Sequence, residues 1–315
     1  MNDTLSLAFW VSILAAAIPA GTAILYACLG EIVCERAGIL NLGVEGMMLM
    51  GALGGFAVTD WTGSVWLGAL AALAVGGAMA MIHAVLTVGL RANQVVSGLA
   101  LTIFGSGLSA FLGAGFVGKP ARAAFHPLRV PVLGDIPHLG PILFRQDALV
   151  YVSYALVPLL WLFVYRTRQG LHLRALGERP EAADAMGVGV ARLRASYVVA
   201  GGALAGLGGA AISLGTNPGW SENMTAGRGW IAVALVIFAG WNPLRAALGA
   251  YLFGGVDAGQ FRLQTAGVGV SSFFLNMLPY LFTIAVLVLA TRETTRRRMG
   301  APAALGRPYV REERG

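Results

Sequence analysis

Long apolar runs, each closed by a short polar or glycine-rich segment, recur along the whole chain. A helix needs about 20 mostly apolar residues to cross the hydrocarbon core of a bilayer. The pattern predicts nine such spans, over residues 6–29, 38–59, 64–89, 93–115, 147–166, 195–216, 228–241, 245–263 and 272–291. The seventh is short and follows "TNPGWSENMTAGRG", a polar stretch that reads as a broken or re-entrant segment. Non-helical backbone is tolerated at depth only where protein covers it or it lines a cavity, so this segment points to a pathway. The fold class is therefore an all-α integral membrane protein: a polytopic bundle of about nine helices with a re-entrant piece. Residues 1–291 form its transmembrane domain.

Composition agrees. Apolar types make up 57% of the 315 residues and charged types 12%, about half the charged share of a soluble domain. The net charge of +7 is carried almost wholly by arginine, Lys119 being the single lysine. A basic chain can signal nucleic acid. Here the arginines sit in short segments between apolar runs, as in cytoplasmic loops, and membrane lipid rather than nucleic acid is the expected surroundings. Residues 166–194 hold six arginines and the tail from Thr291 holds seven, so both are expected inside. Counting back places the N-terminus outside. "MNDTLSLAFW" has no basic residue, and the first run reads as a retained span. Residues 116–146 then also fall outside, despite Lys119, Arg122, Arg129 and Arg145.

Small residues recur four apart at Gly51/Gly55, Gly202/Gly206 and Gly255/Gly259, a spacing that lets helix backbones approach closely in lipid. Cys28 and Cys34 lack metal-ligand spacing and read as reduced packing residues, and the four histidines make no ligand pair.

Polar side chains inside the spans are the candidates for a solute pathway. Asn41 and Glu45 share one helix face at i and i+4. A carboxylate within a span costs at least about 2.5 kcal/mol on insertion scales and faces a cavity or a partner. Both residues also lie at a helix start, where Asn caps and Glu suits the dipole, so bracing and pathway roles both stay open. Asn93, Gln94 and Ser97 repeat the habit in the fourth span, with uncharged groups that suit a neutral hydrogen-bonding solute or helix–helix bonds. Asp257 is the other acid in a span, with Arg262 nearby as its expected partner.

The most informative loop is 167–194. Within it "ERPEAADAMG", residues 178–187, reads as a short exposed helix, with Pro180 early, Glu178 and Glu181 near its start, and Gly187 and Gly189 ending it. Such an element between spans is a docking device by shape. The chain contains no phosphate-binding G-x-x-x-x-G-K-[ST], no H-E-x-x-H and no G-x-S-x-G.

Four stretches carry a resemblance: "GILNLGVEGMMLMGA" (38–52), "NQVVSGLALTIFG" (93–105), "LRALGERPEAADAMGV" (173–188) and "GRGWIAVALVIFAGWNPLRAALGAYLFG" (227–254). Together they resemble the permease subunits of bacterial ABC importers, in the ribose/nucleoside branch, and within it the shorter permease of the nucleoside systems. The resemblance implies a transport subunit of the bacterial plasma membrane, without an ATPase site or cofactor of its own. It implies a cytoplasmic ABC ATPase that binds the ATP, a second and usually different permease, and an extracytoplasmic solute-binding lipoprotein. Glu178, Glu181, Ala182, Ala183 and Gly187 match the segment that couples to the ATPase. Asn41 and Glu45 fall in the branch's hallmark stretch. Asn41, Glu45, Asn93, Gln94, Ser97 and Asp257 are the expected substrate-pathway residues for a nucleoside or related sugar.

The competing class is an ion-coupled secondary transporter, which places charged residues deep in its spans; only Asp257, and Glu45 more shallowly, serve such a role. No catalytic constellation supports a membrane enzyme. The tail, 292–315, is expected to be disordered, with its arginine cluster near anionic headgroups.

Overall fold

The structure, a computed structural model, describes residues 7–265, 270–290 and 300–310. It is mostly helical. The elements are α1 (Leu7–Arg36), α2 (Val44–Thr62), α3 (Val65–Ala84) continued by a π-helical turn (Val85–Gly89), α4 (Gln94–Gly113), the short α5 (Leu139–Leu143), α6 (Ala148–Arg166), α7 (Arg168–Glu178), α8 (Pro180–Ala185), α9 (Val190–Ala210) continued by a π-helical stretch (Ala211–Thr216), α10 (Arg228–Ala239), α11 (Pro243–Thr265) and α12 (Ser272–Ala290). Two strands of two residues, β1 (Leu128–Arg129) and β2 (Arg145–Gln146), pair antiparallel with Leu128 opposite Gln146.

Among the described residues, five helical stretches are long and apolar enough to cross a membrane: Leu7–Arg36, Val65–Gly89, Gln94–Phe116, Ala148–Arg166 and Val190–Thr216. Helices occupy the other four predicted segments but fall short of that measure. α10 has 12 residues. α2 carries Glu45 and Asp60, and α11 carries Arg245, Asp257 and Arg262. α12 is apolar over the shorter stretch Phe273–Ala285. The first helix runs seven residues beyond its predicted end at residue 29, and Glu31 and Glu35 in that extension are buried inside the bundle.

The centre of the bundle is α9. Its membrane-length window is 72% buried, against at most 39% for the other four candidates. Glycine explains how it gets there. α2, α3 and α9 meet at Gly51, Gly76 and Gly206, where an added methyl group would strike the neighbouring backbone. Lipid gives no hydrophobic drive between helices, so such close backbone packing supplies the association. Gly51, Gly202 and Gly206 do this as their spacing predicts. Gly255 and Gly259 do not: a side chain at Gly259 would meet nothing within 4 Å. On that helix the close approach to α1 is made by Gly254, against Ala17 and Gly21.

Residues 116–146 and the loop 167–194 lie at opposite ends of the bundle, as the count of spans predicts. Residues 116–146 lie at the end where α1 begins, tied by Phe125 N–H to Leu214 O (2.8 Å) and Gln146 Nε2 to Ala15 O (3.1 Å). α7 lies at the other end, with Gly177 against the Arg36 carbonyl. The tail departs from expectation. Residues 300–310 are not loose: Ala304 N–H donates to Gly177 O (2.8 Å), Ala304 is buried, and Leu305 and Tyr309 pack on the core. The chain returns to cover the exposed backbone of α7, a partner that local sequence does not reveal. The arginine cluster of 292–298 lies outside the described residues.

Two substitutions separate packing glycines from incidental ones. Gly206→Leu forces α2, α3 and α9 apart; overpacking costs about 1–3 kcal/mol or more, and the monodisperse peak after heating in detergent is expected to vanish. Gly259→Ala is expected to leave thermal stability unchanged or slightly higher, since it adds helix propensity of up to about 1 kcal/mol.

Candidate functional site

Between Thr216 and Gly227 the chain leaves regular structure, with left-handed φ at Asn223 (53°), Ala226 (47°) and Gly227 (78°), and then starts α10 at Arg228. At about 1.5 Å per residue α10 is about 18 Å long, so a helix that ends near the Arg36 level begins inside the bundle. Its first N–H groups have no intrahelical acceptors. Glu45 of α2 supplies them. Its Oε1 accepts from the Thr225 hydroxyl (2.6 Å) and Gly227 N–H (2.9 Å), and its Oε2 accepts from Gly229 N–H (2.6 Å). The fit requires glycine at 229, where a Cβ would sit 2.6 Å from Glu45 Cα. Glu45 thus caps a different helix across the bundle.

The same helix start carries Arg228, whose Nη2 donates to Asp257 Oδ2 at 2.7 Å. Asp257 is paired with Arg228 rather than with Arg262, the partner expected from proximity along the chain. Arg228 Nη1 also reaches Thr225 O (3.3 Å), and Gln260 Nε2 donates to Asp257 Oδ1 (3.3 Å). Gln260 is 7% exposed, and its Oε1 has no hydrogen-bond partner among the described residues. A buried acceptor left unpaired costs about 1–3 kcal/mol. Two cavities flank this group. One, of about 490 Å³, is lined by Asp147, Asn217, Arg228, Asp257 and Phe261. The other, of about 380 Å³, shares Asn217, Arg228, Asp257 and Phe261 and adds Gln260, Phe253 and Tyr280. Asn217 also lines a third cavity of about 450 Å³ around Pro218–Trp220. Both flanking volumes suit a small-molecule site. A neutralised ion pair, two amides and aromatic walls can hold a neutral hydrogen-bonding solute.

The remaining predicted pathway residues gather elsewhere, around the loop 37–43. Asn93 caps α4, its Oδ1 accepting from Val95 and Val96 N–H (3.0 and 3.1 Å). Gln94 Oε1 accepts from Leu40 N–H (2.7 Å). Asn41 N–H donates to Glu31 Oε1 (2.9 Å), and its Oδ1 accepts from Gly43 N–H (3.0 Å). Ser97 pairs with His83 Nδ1 (2.9 Å), whose Nε2 faces Leu40 O (3.1 Å). None of these four lines either cavity beside Asp257.

Several residues that the sequence reading passed over belong to these assemblies: Arg228 and Gln260 at the cavities, and Glu31, Glu35, Arg36 and Trp241 at the far end of α10. There Trp241 Nε1 donates to Glu35 Oε2 (2.5 Å), and Arg36 reaches the carbonyls of Gly240 and Trp241 (3.4 Å each). The i, i+4 spacing of Glu31 and Glu35 was the available signal.

The loop 167–194 folds as α7 and α8. The helix expected over 178–187 is shorter: Glu178 ends α7, Arg179 is non-helical (φ −147°, ψ 81°) as suits a residue before proline, and Pro180 opens α8. Glu178, Glu181, Ala182, Met186 and Gly187 are exposed, Met186 by 84%. Ala183 faces the opposite way and is buried. Gly187 holds φ +81°, a left-handed turn that suits glycine and stops the helix. Beside α8 lies an open groove of about 980 Å³, lined by Arg91, His172, Met186, Arg192 and Tyr309 among others. The base is fixed by Arg194, 2% exposed, whose Nη2 donates to Leu176 O (3.1 Å).

The chain matches, over residues 12–291, the family model described as branched-chain amino acid transport system / permease component. It is 45% identical to a putative glucose ABC transporter permease protein of Haloferax volcanii, over 97% of this chain and 99% of that protein. It is 34% identical to a nucleoside ABC transporter permease protein of Lactococcus lactis (93% and 94% covered) and 32% identical to a guanosine ABC transporter permease protein of Bacillus subtilis (96% and 99%). No solved structure gives a significant match. The chain belongs to the branched-chain amino acid transport system / permease component family, and is a multi-pass transport subunit of the plasma membrane rather than an enzyme.

Proposed function

We propose that this chain is one of two permeases, paired with a different second chain, of an ATP-driven importer of nucleosides or related simple sugars. A separate cytoplasmic ATPase binds the ATP, and an extracytoplasmic binding lipoprotein delivers the solute. The observation that carries the reading is a half-helix, α10, that starts inside the bundle beside an ion-paired, cavity-lining Arg228–Asp257, with an exposed short helix, α8, at the opposite end. The near full-length relatives named above support the solute class. An ion-coupled carrier needs an acid free to take the ion, and Asp257 is already engaged by Arg228.

In this reading the nine helices α1–α4, α6 and α9–α12 are embedded, with 217–227 as the re-entrant piece. Glu178, Glu181, Ala182, Met186 and Gly187 meet the ATPase, while Ala183 seats α8 on the body. Force entering at α8 passes through Arg194 and Gly177 to the end of α1, through Arg36 and Glu35 to Trp241, and along α10 to Arg228. Asn41, Gln94 and, through His83, Ser97 hold the loop 37–43 as the cytoplasmic gate, while Asn93 caps α4 beside it. Transport then needs only that the solute bind differently in two bundle states.

Two outcomes follow. In liposomes holding the complete importer, Met186→Glu is expected to lower ATP-driven uptake at least tenfold while the bundle stays monodisperse. Normal uptake would refute docking at α8, and uptake by the purified chain alone under an ion gradient would refute the importer. Glu45→Ala removes a charged acceptor of three hydrogen bonds, each worth about 1.5–3 kcal/mol. It is expected to destabilise the bundle by at least about 3 kcal/mol in detergent unfolding, and Glu45→Gln, which keeps one acceptor oxygen, by clearly less.

A further inference from the structure

The segment 300–310 has a built shape. Pro302 O accepts from Leu305 N–H (3.0 Å), Ala304 O accepts from Arg307 N–H (3.2 Å), and Gly306 takes φ +77°, so two overlapping turns fix it. Pro302 and Ala304 are buried, while Ala303, Gly306 and Arg307 are exposed. The prolines at 302 and 308 restrict the alternatives open to the chain, which lowers the entropic cost of ordering it.

Its buried side lands where three other elements meet. A helix leaves its last carbonyls without intrahelical donors. At the end of α7, Leu176 O is taken by Arg194 Nη2 of α9 (3.1 Å), and Gly177 O is taken by Ala304 N–H (2.8 Å). Gly177 itself lies between the Arg36 carbonyl and Pro302, whose Cβ would be 3.1 Å from a Cβ added there. The loop 37–43 arrives through Gly38, at φ +86°. A Cβ added to it would sit 2.7 Å from Arg194 Nη2 and 3.4 Å from Ala304 O. Tyr309 and Arg194 together line a void of about 20 Å³. Tyr309 also lines the open groove beside α8, with Met186. α8 itself buries only Pro180 and Ala183, a slender seat for an element that has to transmit a push.

Resting on the importer reading above, we propose that residues 300–310 are a working part of the coupling apparatus. They tie the end of α7 to the loop 37–43, so that a push received at α8 moves that loop instead of bending α7 away from the bundle. Ala304 and Tyr309 are the positioning residues. Ala304 gives its N–H to α7 and sets its carbonyl against Gly38, and Tyr309 backs the guanidinium that holds the other α7 carbonyl. The joint consists of two hydrogen bonds and small side chains, contacts that can re-form in a second geometry. It lies apart from Gly51, Gly76 and Gly206, where backbones interlock.

The test measures ATP hydrolysis and solute uptake on the same liposomes holding the complete importer. Ala304→Leu overfills a buried site, and Tyr309→Ala removes the support beside Arg194. Each is expected to lower uptake per ATP hydrolysed by about fivefold or more. Hydrolysis itself should stay within about twofold of the unaltered importer, and the extracted complex should stay monodisperse. Ala304→Ser, which keeps the N–H and nearly the size, is expected to keep the normal ratio. If Ala304→Leu does not assemble, Tyr309→Ala decides. A segment that merely covers α7 would change neither activity or lower both in step, and either result overturns the proposal while the importer stands. If the unaltered importer takes up no nucleoside or sugar with ATP, the importer reading falls and the coupling role with it.

Discussion

A helix that begins in the middle of a bundle leaves its first backbone N–H groups without intrahelical acceptors, and the fold depends on meeting that demand. Glu45 meets it from another helix, with two carboxylate oxygens on Thr225, Gly227 and Gly229. Because this anchor exists, the chain can turn back at 217–227, α10 can be short, and Arg228 can stand opposite Asp257 with open space on both sides. Remove the anchor and the cavities lose one wall. An apparently misplaced carboxylate in an apolar run is therefore the condition for having a polar site inside that run at all.

The rest divides into a stiff part and a linked part. The stiff part is the glycine seam of α2, α3 and α9, where backbones touch and little can slide. The linked part is held by polar contacts: α7 to α9 through Arg194, α1 to the α10–α11 corner through Arg36 and Glu35, and residues 300–310 laid over α7. In the proposed importer these contacts are what a push at α8 would act on, because hydrogen bonds can re-form in a second geometry where interlocked backbones cannot.

Much of this was legible in the residues. Hydropathy placed helices in all nine segments, and "TNPGWSENMTAGRG" marked where the chain leaves regular structure before α10. The position of Asp257 inside a span pointed to the cavities. What was not legible depends on contacts remote in sequence. Asp257 pairs 29 residues back with Arg228, not with its neighbour Arg262. Glu45 serves residues 180–184 positions away. The first predicted span stopped short of Glu31 and Glu35, whose partners, Asn41 and Trp241, come from a loop and from beyond the far end of α10. Spacing shows which small residues share a face but not which face meets a helix, so Gly259 was indistinguishable from Gly206.

The central claim is that this subunit receives its force through α8, from a nucleotide-hydrolysing partner on the side of the arginine-rich loop. The most direct measurement is cysteine cross-linking from Ala182→Cys, an exposed position of α8, in the assembled importer. The account predicts a cross-link to the ATPase subunit whose yield changes when ATP binds, with no labelling of position 182 by an impermeant reagent added outside intact cells. Labelling from outside, or a cross-link only to a protein without nucleotide-hydrolysing activity, would contradict it.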